Sequence, residues 1–210
     1  IYKAGGITTV HLPPSDISVV NAVEAAELGV TMIEHHYGYP ESALGGRVHP
    51  FPPDYNYMDE ADRFRHAGAI WQKAPEKILF GEVVDRLVKS GVAMIPTMSA
   101  YEANRDLNRA MGLPWHENFT HAQLIEWYFP NPKYHGSYHW NWTSKDEQRW
   151  SDTFRKWQRL IYEFNKRGGH LSYAVDDPYI WNTSGIANVR ELQLMHEAGL
   201  HPLEVIRSAT

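Results

Sequence analysis

Three short apolar segments of the sequence each lead into a side chain that can bind a metal ion. The segments and the residues that follow them are Ile7–Val10 with His11, Val30–Ile33 with Glu34 and His35, and Leu171–Val175 with Asp176. Neutral imidazoles together with a carboxylate form a ligand set that suits zinc and similar divalent ions. Because the carboxyl ends of buried parallel strands meet at one edge of a sheet, we expect His11, His35 and Asp176 to share one metal centre.

Adjacent residues leave the choice of ligand open at two of these positions. His35 and His36 are neighbours, so they should point to opposite faces of a strand, and only one of them can be the ligand. Asp176 and Asp177 pose the same question, and Asp177 before Pro178 also fits ordinary turn chemistry. A single histidine at a strand end is more often a hydrogen-bonded structural residue than a ligand.

The surrounding sequence predicts strands that alternate with helices. Val92–Ile95 is a fourth buried strand, closed by Pro96 and Thr97. The predicted helices are a segment that begins at Ser15 or Asp16 and ends at Leu28, then Glu76–Lys89, Ser144–Lys166, Asn188–Glu197 and Pro202–Thr210. Alternating strands and helices without hairpin turns indicate an α/β fold with a parallel sheet and right-handed connections.

Two long stretches, residues 37–75 and 99–143, follow strand ends and are rich in Gly, Pro, His and aromatic residues. We predict that the first is irregular and the second irregular or partly helical. Both are expected to be loop insertions on the active-site face of a single domain that covers residues 1–210. They hold many of the twelve His and eight Trp residues. Because such loops build the substrate pocket of a parallel barrel, we expect an aromatic-walled pocket above the metal.

Composition excludes several classes of function. The net charge of −5 and the lack of a basic run argue against nucleic-acid binding. No apolar run approaches the ~20 residues of a membrane-spanning helix, so we expect no membrane partner. Cysteine is absent, which excludes disulfides and thiolate metal ligands. The chain begins at Ile1 and ends inside a predicted helix, so we expect it to be a piece of a longer protein. The sequence therefore predicts no particular cellular compartment.

The segment Val30–His35 (VTMIEH) resembles the sixth strand of the amidohydrolase superfamily, especially its imidazolonepropionase-like and prolidase-like members. Further similarities follow in the same order along the chain. They are Ile7–His11 to the preceding strand, Gly91–Thr97 (GVAMIPT) to the seventh, Gly169–Ile180 with AVDDPYI to the eighth, and Gly185–Thr210, with its Arg-Glu-Leu, Glu-Ala-Gly-Leu, Pro-Leu-Glu and Ala-Thr, to the final stretch. Ala174-Val175 departs from the usual Gly-Thr.

The resemblance implies a parallel (β/α)8 TIM barrel, of which this chain is about half and supplies strands five to eight. It places the metal ligand at His35 rather than His36 and the catalytic acid at Asp176 rather than Asp177. The metal ligands are then His11, His35 and Asp176, holding one or two divalent ions, most often zinc. The family's remaining ligands, which include a His-x-His pair, are expected upstream of Ile1.

The same resemblance implies a metal-dependent amidohydrolase that hydrolyses an amide or cyclic amide C–N bond of a small molecule. Metal-activated water attacks, and Asp176 acts as general base and then general acid. Thr97, Tyr101, Tyr179 and His36 are candidates for substrate contacts. Assembly into a homo-oligomer is compatible with this function.

Two other functions are compatible with the residues. The first is a catalytically degenerate barrel that binds a ligand, such as a sugar, on its aromatic loops. Trp150 and Trp157 weaken that hypothesis, because they share one helical face and fit a core role. The second is a glycoside hydrolase that acts through the paired carboxylates of Glu34 and Asp176.

Overall fold

The chain folds around one parallel sheet. The structure is a computed structural model, and it describes residues 5–12, 20–45, 51–56, 58–133 and 138–210. Within these residues the sheet has four strands, in the order β1-β2-β3-β4, and every neighbouring pair is parallel. The strands are β1 (Thr9–His11), β2 (Met32–Glu34), β3 (Ala93–Ile95) and β4 (His170–Leu171). The predicted α/β fold with a parallel sheet is confirmed.

The register brings the strand ends to one edge. His11 lies opposite Glu34 in the β1–β2 pair, and Glu34 lies opposite Ile95 in the β2–β3 pair. The residues that follow β1, β2 and β3 therefore leave the sheet at the same level. This alignment follows from the parallel pairing, which sends all carboxyl ends in one direction.

The fourth strand is shorter than the sequence predicts. The backbone N–H of Ser172 still donates to the carbonyl of Met94 in β3, at 2.9 Å. The next N–H, that of Tyr173, instead donates to the carbonyl of Ser208 near the end of the chain, at 3.0 Å. The prediction of a strand over Leu171–Val175 is therefore wrong beyond its first residues, because a helix end takes the place of a strand partner.

Helices follow the strands along the chain. They are α1 (Ala22–Glu27), α2 (Tyr39–Ala43), α3 (Glu60–Lys73), α4 (Glu76–Ile78), α5 (Val84–Ser90), α6 (Glu102–Arg105), α7 (Leu107–Met111), α8 (His116–Phe119), α9 (Ala122–Tyr128), α10 (Ser144–Lys166), α11 (Ile186–Glu197) and α12 (Pro202–Ser208). A π-helical turn, Leu79–Val83, joins α4 to α5, and a 3-10 turn, Met98–Tyr101, precedes α6.

The first helix begins later than predicted. Asn21 caps it by accepting the N–H of Glu24 at 3.1 Å, and the Glu24 carboxylate accepts the N–H of Asn21 at 2.9 Å. This reciprocal capping box satisfies two of the free N–H groups at the helix start. The predicted capping residues, Ser15 and Asp16, lie outside the described residues.

The prediction that residues 37–75 are irregular is wrong, because α2 and the 14-residue helix α3 occupy much of this stretch. Asp59 caps α3 by accepting the N–H of Ala61 at 2.9 Å. Phe64 and Trp71 then lie on one face of the helix and are buried. An acidic capping residue before an apolar face at helical spacing was therefore a readable signal.

The long helix α10 packs along α3. Three side chains of α10 donate hydrogen bonds to backbone carbonyls of α3, one turn apart. The pairs are Trp150 Nε1 to Phe64 O at 2.6 Å, Thr153 Oγ1 to Gly68 O at 3.5 Å, and Lys156 Nζ to Trp71 O at 3.3 Å. A Cβ at Gly68 would lie 3.3 Å from the Cβ of Arg149, so the glycine permits this close approach. The contact fixes α3 beside the sheet edge that carries the candidate site.

Within the described residues, no helix is both long enough and apolar enough to cross a membrane.

Candidate metal centre

The structure brings His11, His35 and Asp176 to the same edge of the sheet. The rings of His11 and His35 lie edge to face, with their centroids 4.5 Å apart. The Nε2 atom of His35 lies 3.8 Å from Oδ2 of Asp176 and 3.9 Å from Oε2 of Glu34. His35 therefore lies close to the imidazole of His11 and to the carboxylates of Glu34 and Asp176.

The backbone is strained just after β2, just after β3 and in the segment that follows β4. His35, Thr97 and Asp176 have φ values of 64°, 54° and 54°, which lie in the left-handed region that side chains with a Cβ seldom adopt. Such conformations carry a cost of about 1–3 kcal/mol each and persist where the surroundings fix them. Their presence at one sheet edge is typical of a site whose side chains are aimed for function.

The hydrogen bonds of His35 determine which of its nitrogens faces the carboxylates. Thr97 Oγ1 donates its one hydrogen to the carbonyl of Pro96, at 2.5 Å, and lies 2.6 Å from Nδ1 of His35. The hydroxyl must then accept a hydrogen from Nδ1. Burial lowers the pKa of His35 to about 3, so the ring is neutral and Nε2 carries a lone pair. This lone pair is on the ring nitrogen that lies within 4 Å of Glu34 and Asp176.

The separations suit two or more ligands of one small cation. Zinc–ligand bonds of about 2.1 Å in a tetrahedral arrangement place two donor atoms about 3.4 Å apart and two imidazole centroids about 5 Å apart. The 3.8 Å between His35 Nε2 and Asp176 Oδ2 and the 4.5 Å between the rings are close to both values. The N–O distances are too long for direct hydrogen bonds, so electron-rich atoms face one another without a bridging proton.

The described residues do not complete a metal site. Among them, no group of three or more His, Cys, Asp or Glu side chains is arranged so that it could hold a metal ion. The donor types and the pairwise distances fit zinc, and the neutral His35 with an anchored second nitrogen is the form that binds metal. Further ligands are needed to close the coordination sphere.

The two carboxylates at the edge differ in their surroundings. Glu34 Oε1 accepts a hydrogen bond from Thr9 Oγ1 of the neighbouring strand, at 2.7 Å. Asp176 is half-exposed, and its partial burial raises the pKa of its carboxyl above the ordinary value. Partial burial likewise lowers the pKa of His11. Asp176 therefore combines access to solvent with a basicity above that of an ordinary aspartate.

The predicted substrate-contact residues occupy different environments. Thr97 is buried and bonded to His35, and Tyr101 is buried with its ring 5.5 Å from that of His35. The Tyr179 hydroxyl donates to Oε2 of Glu60 in α3, at 3.3 Å. His36 has no exposed surface, which gives its predicted substrate contact no support.

His36 belongs to an aromatic core. Its ring centroid lies 4.6 Å from that of Tyr101 and 5.1 Å from that of Trp150, both edge to face. Burial lowers its pKa well below the ordinary value, and the Trp71 indole N–H donates to its Nδ1 at 3.4 Å. Several aromatic residues expected to wall an open pocket, among them Trp71, therefore pack inside the fold, and a sugar-binding surface built on them loses support.

Sequence reasoning missed the role of Glu191. This residue of α11 is fully buried, and its carboxylate accepts the backbone N–H groups of Met98 and Ser99 at 2.9 and 2.6 Å. Both bonds link the middle of α11 to the turn that carries Thr97. The Arg-Glu-Leu motif contained the residue, but its backbone partners lie more than ninety positions away along the chain.

Comparison with known proteins adds evidence about the fold. No family model matches the sequence, and no curated protein matches it either. The solved structure of a bottromycin amidohydrolase superposes on the chain with a TM-score of 0.62 at 15% sequence identity. The match covers 100% of this chain and 40% of that structure, so the chain spans less than half the length of that neighbour. At this level of identity the likeness shows a shared fold, namely an α/β arrangement that also occurs in an enzyme named as an amidohydrolase.

Proposed function

We propose that this chain is the C-terminal half of a metal-dependent amidohydrolase barrel, contributing strands five to eight of eight. Four parallel strands in consecutive order, with their carboxyl ends aligned, support this architecture. The superposition on two fifths of an amidohydrolase structure supports it further. The substrate is proposed to be a small molecule with an amide or cyclic amide bond.

The observation that carries the proposal is the orientation of His35. Its Nδ1 is anchored on Thr97, and its free Nε2 lies within 4 Å of two carboxylates. Acceptor atoms that face one another at this distance need a cation or a hydrogen donor between them, and a zinc ion would meet this need. His35 would hold that ion together with His11 or Asp176, each of which lies close to it. The described residues do not bring all three into one ligand group, and further ligands are proposed to come from outside Ile1–Thr210.

When bound, zinc supplies a Lewis acid that activates water near neutral pH. The residues of this chain then perform the proton transfers. Asp176 accepts the proton of the water as its oxygen bonds to the carbonyl carbon. The same carboxyl then donates this proton to the nitrogen as the C–N bond breaks, yielding an acid and an amine. Its half-exposed position and raised pKa favour this exchange.

A hydrolysis assay tests the proposal. The complete protein that contains Ile1–Thr210 is offered N-acyl amino acids, dipeptides and cyclic amides, first with zinc, then after removal of metal by a chelator, and then with zinc restored. We expect hydrolysis of at least one class, its loss with the chelator and its return with zinc. Hydrolysis that persists in the metal-free protein contradicts the proposal, as does the absence of hydrolysis across all three classes.

A further inference from the structure

The turn after β3 lacks the capping bond that its own first residue would ordinarily provide. Thr97 occupies the N-cap position of the 3-10 turn Met98–Tyr101, and threonine at this position usually accepts an N–H of the first turn with its hydroxyl. Here the Thr97 side chain makes no capping bond: its backbone is left-handed rather than extended, and its hydroxyl is bonded to Pro96 O and His35 Nδ1. The N–H groups of Met98 and Ser99 need another acceptor.

Glu191 provides that acceptor from a distant helix. One carboxylate oxygen accepts the N–H of Met98, and the other accepts the N–H of Ser99. In the described part of the chain no cationic side chain forms an ion pair with Glu191, although the residue is fully buried. A buried carboxylate is costly unless it is well bonded, so its two charge-assisted bonds must order the turn strongly.

The same turn also holds the segment that carries Asp176. Ser99 Oγ donates to the carbonyl of Val175, at 3.3 Å, and Asn182 Nδ2 donates to the same carbonyl at 3.4 Å. The position of Ser99 therefore affects the backbone on both sides of the candidate centre. Thr97 lies on one side, against His35, and Val175 lies on the other, one residue before Asp176.

We propose that Glu191 is a positioning residue, which caps the Met98–Ser99 turn in place of Thr97 and thereby leaves the Thr97 hydroxyl free to orient His35. Glu191 makes no hydrogen bond to His35, so its effect on the His35 ring passes through the turn that carries Thr97. The inference deepens the proposed function, on which it rests for any effect on zinc affinity or turnover. Its effect on the His35 ring needs neither zinc nor activity.

The first test uses ¹⁵N-histidine NMR of the zinc-free protein at pH 8, with the His35 signal assigned by its loss in His35→Asn. We expect the wild type to show the Nδ1–H tautomer. Glu191→Gln has only one carbonyl oxygen for two N–H groups, and we expect it to shift His35 toward a mixture of tautomers. Glu197→Gln, on the same helix but at a partly exposed position, should leave the signal unchanged. A wild-type His35 signal in Glu191→Gln overturns the inference.

The second test does not depend on whether Glu191→Gln folds. Amide hydrogen exchange at Met98 and Ser99 is measured in the wild type and in Thr97→Val. We expect slow exchange at both amides in both proteins, because Glu191 rather than Thr97 binds them. Fast exchange in the wild type, or protection that disappears in Thr97→Val, overturns the inference.

The third test addresses the proposed metal site, with zinc alone as the probe. Changes in groups that orient a metal-bound histidine commonly lower metal affinity by about 10- to 100-fold, and we expect a loss in this range for Glu191→Gln. Thr97→Val should show a comparable loss, and the double variant should add little to either. Losses that multiply independently overturn the route through Thr97. If the wild type binds no zinc, the proposed function fails, while the tautomer and exchange measurements still decide the role of Glu191.

Discussion

The two adjacent histidines, His35 and His36, should respond in opposite ways to one and the same substitution. The Nε2 atom of His35 faces the carboxylates at the sheet edge, whereas His36 is enclosed by aromatic rings. Asparagine is a suitable replacement at both positions. It accepts the left-handed conformation that His35 adopts, so the backbone need not move there.

At His36 the substitution should mainly reduce stability. The side chain has no exposed surface, and its ring centroid lies 4.0 Å from that of Tyr37 and 4.6 Å from that of Tyr101. Asparagine leaves part of this space empty and buries an amide among apolar rings. Truncation of a large buried side chain costs about 2–5 kcal/mol, and we expect the free energy of unfolding to fall by an amount in this range.

At His35 the substitution should mainly reduce metal binding. The lost bond to Thr97 contributes about 0.5–1.5 kcal/mol, and removal of a ring that is itself buried adds to this cost, so the free energy of unfolding should fall as well. Removal of a ligand should weaken zinc binding by more than the about 100-fold that a change in a supporting residue can cause. Zinc binding to folded His36→Asn should stay within a few fold of wild type.

The assay combines urea denaturation with zinc titration against a competing chromophoric chelator. Each variant is compared with the wild type at the same pH and salt concentration. Wild-type zinc affinity in His35→Asn would refute the assignment of the ligand. A His36→Asn protein that is as stable as wild type would refute the placement of His36 in the core.

Three further predictions concern separate parts of the structure. Asp176→Asn should abolish hydrolysis. It should change the free energy of unfolding by less than about 1 kcal/mol, because the side chain is half-exposed and asparagine tolerates its left-handed backbone. Turnover and urea denaturation are measured together, and retained turnover contradicts the role of the carboxyl. Trp150→Phe removes the 2.6 Å hydrogen bond to the Phe64 carbonyl inside the core. Urea denaturation should show a fall of about 1–3 kcal/mol in the free energy of unfolding. An unchanged denaturation midpoint contradicts the packing of α10 on α3. Burial raises the pKa of the Glu191 carboxyl from 4.5 to about 7, so the charged form is disfavoured in the folded protein. The free energy of unfolding of the wild type should therefore fall relative to that of Glu191→Gln as the pH rises from about 5 to about 7, and a relative rise over this interval in paired denaturation curves contradicts the shift.

The regular elements could be predicted where a local pattern and the tertiary environment agree. The helix Ser144–Lys166 ends where predicted, but Thr143 caps it instead of the predicted capping residue Ser144. It could be predicted because its buried residues recur at helical spacing. The helix Glu60–Lys73 was missed because the Gly, Pro and aromatic residues of the surrounding stretch indicated a loop, although Asp59 and the buried face of the helix carry a helical pattern. The strand after Gly169 was predicted too long, because apolar residues continue past Leu171. The N–H of Tyr173 nevertheless donates to the carbonyl of Ser208 at the end of α12 and not to a neighbouring strand.

The residue types of the candidate site could be predicted from the sequence, but the orientations and hydrogen bonds of its side chains could not. Strand ends in a parallel sheet must converge, so His11, His35 and Asp176 were predictable as neighbours. The alternation of side chains could not distinguish His35 from His36, because the left-handed backbone at His35 breaks the period of the strand. Glu191 escaped notice because it binds backbone N–H groups, which have no signature in the sequence.

X-ray absorption at the zinc edge of the zinc-loaded protein tests the central claim most directly, because it reports the ligands of the ion itself. The spectrum of the wild type should contain imidazole nitrogens at about 2.0–2.1 Å from zinc. His11→Ala and His35→Ala should each lower the number of imidazoles or release the metal. A wild-type zinc content with unchanged imidazole scattering in both variants would contradict a shared metal centre at His11 and His35.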